Sequence, residues 1–320
     1  MSRPLTRRNF LAGTAAAAGL VAAGHMPVRA AKPVFKTTLR KAQIMGSVTD
    51  KACEKFRQAG FEGIETTKWS VTPEQAAAGK KTAEKFGLTI HSVMRAWTNF
   101  NKPDRAAKDI ASVETALKAA AGYGAGDILL VPCRTSVKGP QPWEFDYEFD
   151  AKTGRVTKVV KGDNAKWADY IKAQNEATDA TRAAMEKLIP AAERAGVVIG
   201  IENVWNNLWC KADLFTAFID LFDSKWVRAY FDIANHVKYG KPEKWIATLN
   251  NRIVRCHVKE FKLAENGHGG KFVGLRTGSV NWPAVRKQLD AVGYNGWMTV
   301  EGNPVTRDIS RKLDLIIAGK

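Results

Sequence analysis

The sequence contains few cysteines and no long apolar run, and each shortage excludes a class of protein. Four cysteines are present among 320 residues, and they stand far apart, without the close pairs that mark zinc-binding or redox motifs. A chain of this length can bury a core without disulfides. The apolar run near the N-terminus is shorter than the ~20 residues that cross a membrane. We therefore expect neither a cysteine-based metal site nor stable membrane insertion once that segment is removed.

Acidic residues are also scarce relative to basic ones, since 49 lysines and arginines outnumber 32 aspartates and glutamates for a net charge of +17. Such an excess of positive charge can bind nucleic acids, anionic surfaces or acidic substrates. The lysines, however, are spread over every predicted helix and form no basic arm or cluster. A solvated surface is the better interpretation, and no nucleic-acid partner is predicted.

An export signal is predicted over residues 1–30. The twin arginine Arg7-Arg8 precedes a short run of alanine and glycine, and "VRA" precedes Ala31, as expected for the twin-arginine route. Removing this segment leaves 320 − 30 = 290 residues and, because it carries four arginines and no acids, a charge of +17 − 4 = +13. We predict a bacterial periplasmic protein in which residues 31–320 form one domain.

Short β-rich runs alternate strictly with longer amphipathic ones beyond this signal. The predicted strands are Lys41–Met45, Gly63–Thr67, Leu88–Met94, Asp127–Cys133, Val197–Val204, Val227–Ile233, Ile253–Phe261 and Trp297–Glu301. The predicted helices are Asp50–Ala59, Pro73–Phe86, Asp104–Ala121, Trp167–Ala195, Lys211–Phe222, Pro242–Leu249, Trp282–Val292 and Thr306–Ile317. Repeated βα units of ~35 residues imply a parallel sheet, and eight of them match the α/β fold of a closed (β/α)₈ TIM barrel.

Glycine and proline mark the ends of several predicted helices. Glycine separates helix from strand in "KFGLTI", "RAGVVI" and "AVGYNGW", and Pro73 and Pro242 stand in first helical turns. The rival architecture, an open doubly wound sheet, needs a glycine-rich phosphate loop after its first strand. Because "QIMGSVTD" offers only Gly46, the barrel is favoured.

Two connections are too long to be plain loops. Residues 135–165 contain two alternating runs around a Lys-Thr-Gly turn, which predicts a β-hairpin after the fourth barrel strand. Residues 262–281 form a long glycine-rich loop after the seventh strand. Both connections follow strands, so we expect them at the rim where TIM barrels keep their active sites.

Ionisable side chains occur at the ends of four consecutive predicted strands. Glu202 ends the fifth strand, Asp232 the sixth and Glu301 the eighth, while His257 lies in the seventh. Because the carboxyl ends of barrel strands surround one mouth, these side chains can converge. Three carboxylates so close would raise one another's pKa, a cost that a divalent cation removes. The sequence therefore predicts a metal site made by these four residues.

Each of the four residues also has a purely structural interpretation. A single carboxylate at a strand end can cap the next helix, and a histidine within a strand can be a hydrogen-bonded core residue. Four such residues at one level of adjacent strands favour the metal site. The donor set suits a hard or borderline ion. We expect one divalent metal, Mn²⁺ first, with Mg²⁺, Co²⁺ or Zn²⁺ as alternatives.

Four segments carry a family resemblance: "IENVWNN", "YFDIANHVKYGKPEKWI", "RIVRCHVKEF" and "VNWPAVRKQLDAVGYNGWMTVEG". With them, nearly all of residues 31–320 resembles the xylose-isomerase-like TIM barrels, the sugar phosphate isomerases/epimerases that include tagatose/psicose 3-epimerases and hydroxypyruvate isomerases. The resemblance implies that Glu202, Asp232, His257 and Glu301 bind the metal. It also implies that Glu202 and Glu301 are the acid/base pair of an isomerase or epimerase acting through an enediolate on a ketose or keto-sugar.

Further positions resemble substrate contacts in the same family. The expected contacts are Lys259, His236, Glu65, His91, Trp205 and Asn203. Lys259 matches a histidine-x-lysine pattern, with pairing to Glu260 or another carboxylate as the alternative. His236 departs from the pattern because it lies four residues after Asp232 instead of three, so an outward loop position is its alternative. Core or capping roles are the alternatives for Glu65 and His91.

The expected substrate is a small neutral sugar or glycoside. Arg276-Thr277-Gly278-Ser279 stands where family members commonly have glycine-acid-glycine, and a phosphate can bind late in such barrels. An exported protein, however, meets few sugar phosphates. Several tryptophans follow strands, where their flat faces suit sugar rings, with packing of the rim as the alternative.

Three other functions are alternatives to the isomerase or epimerase. A lyase of 3-keto-glycosides would use the same site and end in β-elimination. A sugar-binding barrel without activity would be favoured by a broken ligand set, and the set is intact. A nuclease of the endonuclease IV type needs more histidines than the four beyond residue 30. A homo-oligomer is left open by the sequence.

Overall fold

Strands and helices alternate around a barrel in the computed structural model, which describes residues 34–320. The predicted export signal lies outside the described residues. The strands are β1 (Leu39–Met45), β2 (Gly63–Thr66), β3 (Thr89–Trp97), β4 (Asp127–Val131), β5 (Glu148–Phe149), β6 (Val156–Lys158), β7 (Val198–Glu202), β8 (Val227–Asp232), β9 (Ile253–Val258), β10 (Phe261–Leu263), β11 (Gly270–Phe272) and β12 (Gly296–Val300). The helices are α1 (Asp50–Ala59), α2 (Pro73–Lys85), α3 (Pro103–Tyr123), α4 (Ala168–Ala195), α5 (Ala212–Asp220), α6 (Pro242–Leu249), α7 (Trp282–Ala291) and α8 (Arg307–Ile317).

The barrel closes because its first and last strands pair. β1 pairs in parallel with β12 on one side and with β2 on the other, and the full order is β1-β12-β9-β8-β7-β4-β3-β2. Each barrel strand is followed by one of the eight helices. The prediction of a single (β/α)₈ barrel is confirmed.

Strand side chains alternate between two cores, as the period of two requires. One set packs under the helices in the main core and includes Ile199, Ile201, Phe231 and Met298. The intervening residues point into the barrel, where Tyr230 packs in a separate cluster with Leu129 and Val131. This alternation directs Glu202, Asp232 and His257 to the barrel interior.

Two glycines make room for large side chains inside the barrel. A Cβ atom at Gly63 would lie 2.4 Å from the Trp297 ring, and one at Gly200 would lie 3.0 Å from the Tyr230 ring. A larger residue at either position would displace an interior aromatic ring. The interior therefore combines small and bulky residues on neighbouring strands, as a filled barrel requires.

Local sequence signals set many of the helix ends. The Thr72 side chain caps α2 in a capping box with Gln75, and Thr49 caps α1. The glycines predicted between helix and strand, Gly87, Gly196 and Gly293, have positive φ values of 67°, 66° and 73°, which favour glycine. Helices α1 and α6 have the predicted bounds.

The predicted hairpin after the fourth barrel strand is confirmed. Strands β5 and β6 pair antiparallel, and Gly154 in the Lys-Thr-Gly turn has a φ of 68°. The segment after β9 contains a second hairpin, β10 with β11, which the sequence did not predict. The predicted seventh strand was too long at its C-terminal end, because Phe261 pairs with Phe272 in this hairpin while the barrel strand ends at Val258.

The second hairpin is held by a buried carboxylate. Glu260 accepts hydrogen bonds from the Trp282 indole at 2.8 Å and from three backbone N–H groups, those of Arg276, Val280 and Phe261, at 3.0 to 3.2 Å. Charge-assisted bonds of this kind are among the strong ones. Glu260 thus fixes the course of the long segment over the rim. No helix among residues 34–320 has the length and apolar character that crossing a bilayer requires.

Candidate metal centre

Four neighbouring strands bring the predicted ligands to one level of the barrel. Asp232 on β8 lies in register with His257 on β9, and Glu202 ends β7 beside Tyr230. Glu301 directly follows β12 and its backbone N–H donates to the Val258 carbonyl. One ligand atom from each of Glu202, Asp232, His257 and Glu301 lies within 4.8 Å of all the others.

The His257 ring joins the cluster through Nδ1. This atom lies 2.8 Å from Glu301 Oε2, 3.3 Å from Glu202 Oε1 and 3.9 Å from Asp232 Oδ2. The other ring nitrogen, Nε2, lies 2.6 Å from Glu65 Oε2. The ring packs edge-on against Tyr230 with centroids 4.7 Å apart. His257 therefore has carboxylates on both sides, with Glu65 at Nε2 and the three predicted carboxylate ligands at Nδ1.

Lys259 is the second positive group at the centre. Its Nζ lies 2.8 Å from Glu301 Oε2 and 3.1 Å from Asp232 Oδ2, and it donates to Asn235 Oδ1 at 3.3 Å. Glu260, the alternative partner of Lys259 in the sequence, instead bonds to the segment after β9. In the metal-free chain, the ammonium group thus faces two of the four predicted ligands.

The environment separates the pKa values of the two glutamates. Burial raises the pKa of Glu202, although contacts with His257 and Lys259 oppose the rise. Burial acts in the same direction on Glu301, but the charges of His257 and Lys259 outweigh it and lower the pKa of Glu301 to about 2. Two carboxyl groups with diverging pKa values are the arrangement expected for an acid and a base.

The donor set fits a divalent cation. Oδ2 of Asp232 and Oε2 of Glu301 are buried, and their contacts with Lys259 and His257 are ion pairs without a well-directed hydrogen bond. Three carboxylates this close repel one another, and a divalent cation would offset that repulsion. Three carboxylates and an imidazole suit hard or borderline divalent ions. The four residues can hold a metal ion.

Backbone and amide contacts hold Asp232 and its neighbours in place. Asp232 Oδ1 accepts hydrogen bonds from the backbone N–H groups of Ala234 and Asn235 at 2.8 and 2.7 Å. The other oxygen, Oδ2, therefore faces His257 and Lys259. The Asn203 amide bonds to the backbone of Asp232 through both of its ends, at 2.9 and 2.7 Å. These bonds lock the ends of β7 and β8 together.

Sequence reasoning missed Asn235. Its Nδ2 donates to Glu202 Oε1 at 3.4 Å and to the Asn203 carbonyl at 3.0 Å, while its Oδ1 accepts from Lys259. Asn235 thus links a predicted ligand to the lysine. The one available signal was its position three residues after Asp232 in "DIAN", and an amide in a loop has many other uses.

The two remaining predicted histidines lie beside the cluster and not in it. His236 is buried between Tyr239 and Trp245, and its Nε2 lies 3.2 Å from the Val204 carbonyl. Burial lowers the pKa of His236 to about 3, so its ring is neutral at physiological pH. His91 Nε2 lies 3.1 Å from Thr299 Oγ1, and its ring stacks on Trp297, deeper in the barrel. Substrate contacts of both histidines stay predictions.

Exposed aromatic rings stand at the rim beside the centre. Trp205 is 40% exposed and Phe272 is 44% exposed, and their centroids are 4.9 Å apart. The Trp205 indole donates to the backbone carbonyl of Asn235, and Lys259 Nζ lies 5.7 Å from the Phe272 ring. Trp209, by contrast, is buried and stacks on Phe218 at 4.0 Å, so it belongs to the core.

Comparison with known proteins agrees with this architecture. The family model described as xylose isomerase-like TIM barrel matches residues 53–318. An uncharacterised protein of Methanocaldococcus jannaschii is 24% identical over 152 residues, which cover 46% of this chain and 50% of that protein. The aligned part therefore spans about half the length of this curated relative.

Two solved structures share the fold over most of their length. A D-tagatose 3-epimerase-like protein has a TM-score of 0.65 at 17% identity, with 88% of this chain and 96% of that chain covered. The 3-keto-D-glucoside 4-epimerase of E. coli, in its apo form, has a TM-score of 0.59 at 14% identity, with 87% and 99% covered. Similarity at such identities establishes a common fold.

Proposed function

Because the chain belongs to the xylose isomerase-like TIM barrel family, we propose that it is a divalent-metal-dependent sugar isomerase or epimerase. The observation that carries the proposal is the convergence of Glu202, Asp232, His257 and Glu301 within 4.8 Å. The epimerase names of two proteins with the same fold support this choice. The proposed substrate is a ketose or keto-sugar, and the proposed ion is Mn²⁺, with Mg²⁺, Co²⁺ or Zn²⁺ suited to the same donors.

The reaction moves a proton on the carbon next to a carbonyl group. Glu202 and Glu301 are the proposed proton carriers, one removing the proton and the other returning one. Without metal, the charges of His257 and Lys259 lower the pKa of Glu301, whereas burial raises the pKa of Glu202. A bound cation would favour the ionised form of both carboxyl groups. A bound divalent ion would stabilise the negative oxygens of the enediolate. Lys259, held beside Glu301, can donate to a substrate oxygen as charge develops there.

The second candidate reaction is the release of a leaving group from a glycoside. The rim of the barrel favours it, because it offers a place for a substrate larger than one sugar. Trp205 and Phe272 present exposed faces next to Lys259, and aromatic faces stack on sugar rings. A glycoside whose reacting sugar lies at the centre can rest its second ring there. Loss of that group by β-elimination would make the protein a 3-keto-glycoside lyase. For either reaction, we propose export by the twin-arginine route to the periplasm.

Metal analysis and proton exchange test the proposal. Protein purified without chelator is expected to contain about one divalent ion per chain. Ketoses and 3-keto-glycosides are incubated with it in D₂O and Mn²⁺, the ion is removed, and the products are followed by NMR. Deuterium at the reacting carbon without cleavage indicates an isomerase or epimerase, whereas release of the aglycone indicates the lyase.

The Glu202→Gln variant tests the proton-carrier role, and turnover should fall by about 10²-fold or more. Asp109→Asn is the matched control, because Asp109 is a buried carboxylate paired with Arg95 outside the centre. Full metal-dependent turnover by Glu202→Gln would overturn this role. Absence of both ion binding and proton exchange in the wild-type protein would overturn the proposed function.

A further inference from the structure

A buried carboxylate crosses the barrel interior to reach the metal-facing histidine. Glu65 on β2 is fully buried, and so is His257 on β9. Three strand boundaries separate β2 from β9 in the closed sheet, so this is a contact across the interior and not between paired strands. Glu65 Oε2 lies 2.6 Å from His257 Nε2, which is a short, charge-assisted distance.

Both oxygens of Glu65 have a partner within the barrel. The second oxygen, Oε1, accepts a hydrogen bond from Ser92 Oγ at 3.2 Å. Ser92 lies in register with Glu65 on the neighbouring strand, where the pairing of β2 with β3 shifts by one residue. Serine and histidine therefore fix the orientation of this carboxylate. Glu65 was expected from the sequence to contact substrate, and this geometry supports a different role.

The two nitrogens of His257 face different partners, and this determines which one can bind a metal. Nε2 faces Glu65, and Nδ1 faces Glu301 and Glu202. A carboxylate is an acceptor only, so Glu65 favours a proton on Nε2. A neutral imidazole with its proton on Nε2 has its lone pair on Nδ1, directed at the other ligands. Partners of this kind orient metal-bound histidines in many proteins.

We propose that Glu65 is a positioning residue that holds His257 in the Nε2–H tautomer, with Nδ1 presented to the metal ion. This inference rests on the metal binding of the proposed function. It explains why a carboxylate occupies a barrel interior position that an apolar residue would fill at lower cost. It assigns Glu65 no contact with substrate.

Asp127 provides a matched control for Glu65. It is also fully buried inside the barrel, and it also pairs with a basic residue of β9, since its Oδ2 lies 2.6 Å from Arg255. Arg255 precedes His257 by two residues and is not among the predicted ligands. Asp127 also lies in register with Ser92, the partner of Glu65, so its replacement disturbs the surroundings of Glu65 while leaving both Glu65 contacts and the His257 ring in place.

The test compares metal affinity among Glu65→Leu, Glu65→Gln and Asp127→Asn, each first shown to be folded by circular dichroism. Calorimetry with Mn²⁺ should show affinity weakened by about 10- to 100-fold in Glu65→Leu and less in Glu65→Gln, which keeps an acceptor oxygen. Asp127→Asn should remain within about threefold of wild type. If Glu65→Leu does not fold, the Mn²⁺ affinity and the NMR spectra of Glu65→Gln test the proposal.

Long-range ¹H–¹⁵N NMR of protein loaded with diamagnetic Zn²⁺ identifies the protonated nitrogen of His257. Wild type should show Zn²⁺ on Nδ1 and the proton on Nε2, whereas Glu65→Gln should show incomplete coordination of Nδ1 or a fraction of rings with the opposite assignment. Unchanged Mn²⁺ affinity and tautomer in the Glu65 variants, with a raised KM, would overturn the inference and restore a substrate role. Absence of ion binding in wild type would instead overturn the metal dependence of the proposed function, and this inference with it.

Discussion

Replacing Lys259 by methionine separates its proposed role toward substrate from support of the metal ligands. The ammonium group contacts Glu301 at 2.8 Å and Asp232 at 3.1 Å, and its side chain is 16% exposed. Methionine retains much of the apolar stem and removes the charge. In the metal-free chain, the variant leaves two buried carboxylates with one positive partner fewer.

The magnitude follows from the shifted pKa of Glu301. Burial raises this pKa, but His257, with the larger effect, and Lys259 together lower it from 4.5 to about 2, a change that corresponds to about 3 kcal/mol. His257 remains in the variant, so only the share of Lys259 is lost. We expect Lys259→Met to lose about 1–2 kcal/mol of unfolding free energy without metal, and its Tm to fall by about 2–4 °C.

Metal affinity and turnover should change differently in Lys259→Met. All four predicted ligands remain in Lys259→Met, and a positive charge that repels the ion is gone, so Mn²⁺ should bind at least as tightly as in wild type. Turnover should fall by about 10²- to 10³-fold, as expected when a donor to a developing oxyanion is removed. Calorimetric Mn²⁺ titration, thermal unfolding and steady-state kinetics measure the three effects.

Lys41→Met is the matched control. The Lys41 side chain is 14% exposed and pairs with Asp314 at 2.8 Å, between β1 and α8. This variant should lose stability to a comparable or smaller extent while keeping both metal affinity and turnover. Weakened Mn²⁺ binding with normal turnover in Lys259→Met would refute the reasoning, because Lys259 would then support the ligands and not the substrate.

Three further predictions concern pH, the rim and the core. Although burial lowers the pKa of His257, Glu65 and Glu301 raise it well above 6.5 without metal, so Mn²⁺ affinity should fall as pH is lowered from 8 to 6. Calorimetry should show that Mn²⁺ affinity falls about tenfold per pH unit for each proton released on binding. An affinity that does not change with pH would contradict this. Glu260→Ala leaves four donors without their acceptor, so urea unfolding should show a loss of about 3 kcal/mol or more, and an unchanged midpoint would argue against the anchoring role. Trp209→Ala removes a buried ring and its hydrogen bond to Thr178. Urea unfolding should show a loss of about 3–5 kcal/mol of unfolding free energy. A loss below about 1 kcal/mol would place Trp209 outside the core.

The architecture was readable from the sequence because its signals are local. Glycine after a helix and proline in a first turn act over a few residues, so α1 and α6 were predicted with the bounds that the structure has. A repeated βα pattern also implies where the ends of parallel strands meet. That rule alone was enough to group Glu202, Asp232, His257 and Glu301, which the structure places within 4.8 Å of one another.

The structure decided contacts for which the sequence offers no local signal. Glu65 and His257 are 192 positions apart, and the β2–β3 register shift lies beside Glu65. Which of several nearby groups a charged side chain meets was likewise open, and Lys259 meets Asp232 and Glu301 instead of Glu260. Exposed and buried tryptophans share the same loop after β7, since Trp205 reaches the rim while Trp209 packs in the core.

The sequence by itself thus determined the barrel and the level at which its ionisable residues lie, because strand period and strand order follow from patterns along the chain. Only the tertiary structure decided which atoms face one another inside the barrel. Closing the sheet brings β2 across from β9, and the side chains that then meet are set by packing in three dimensions. The contact between Glu65 and His257, on which the proposed tautomer of His257 rests, depends on that closure.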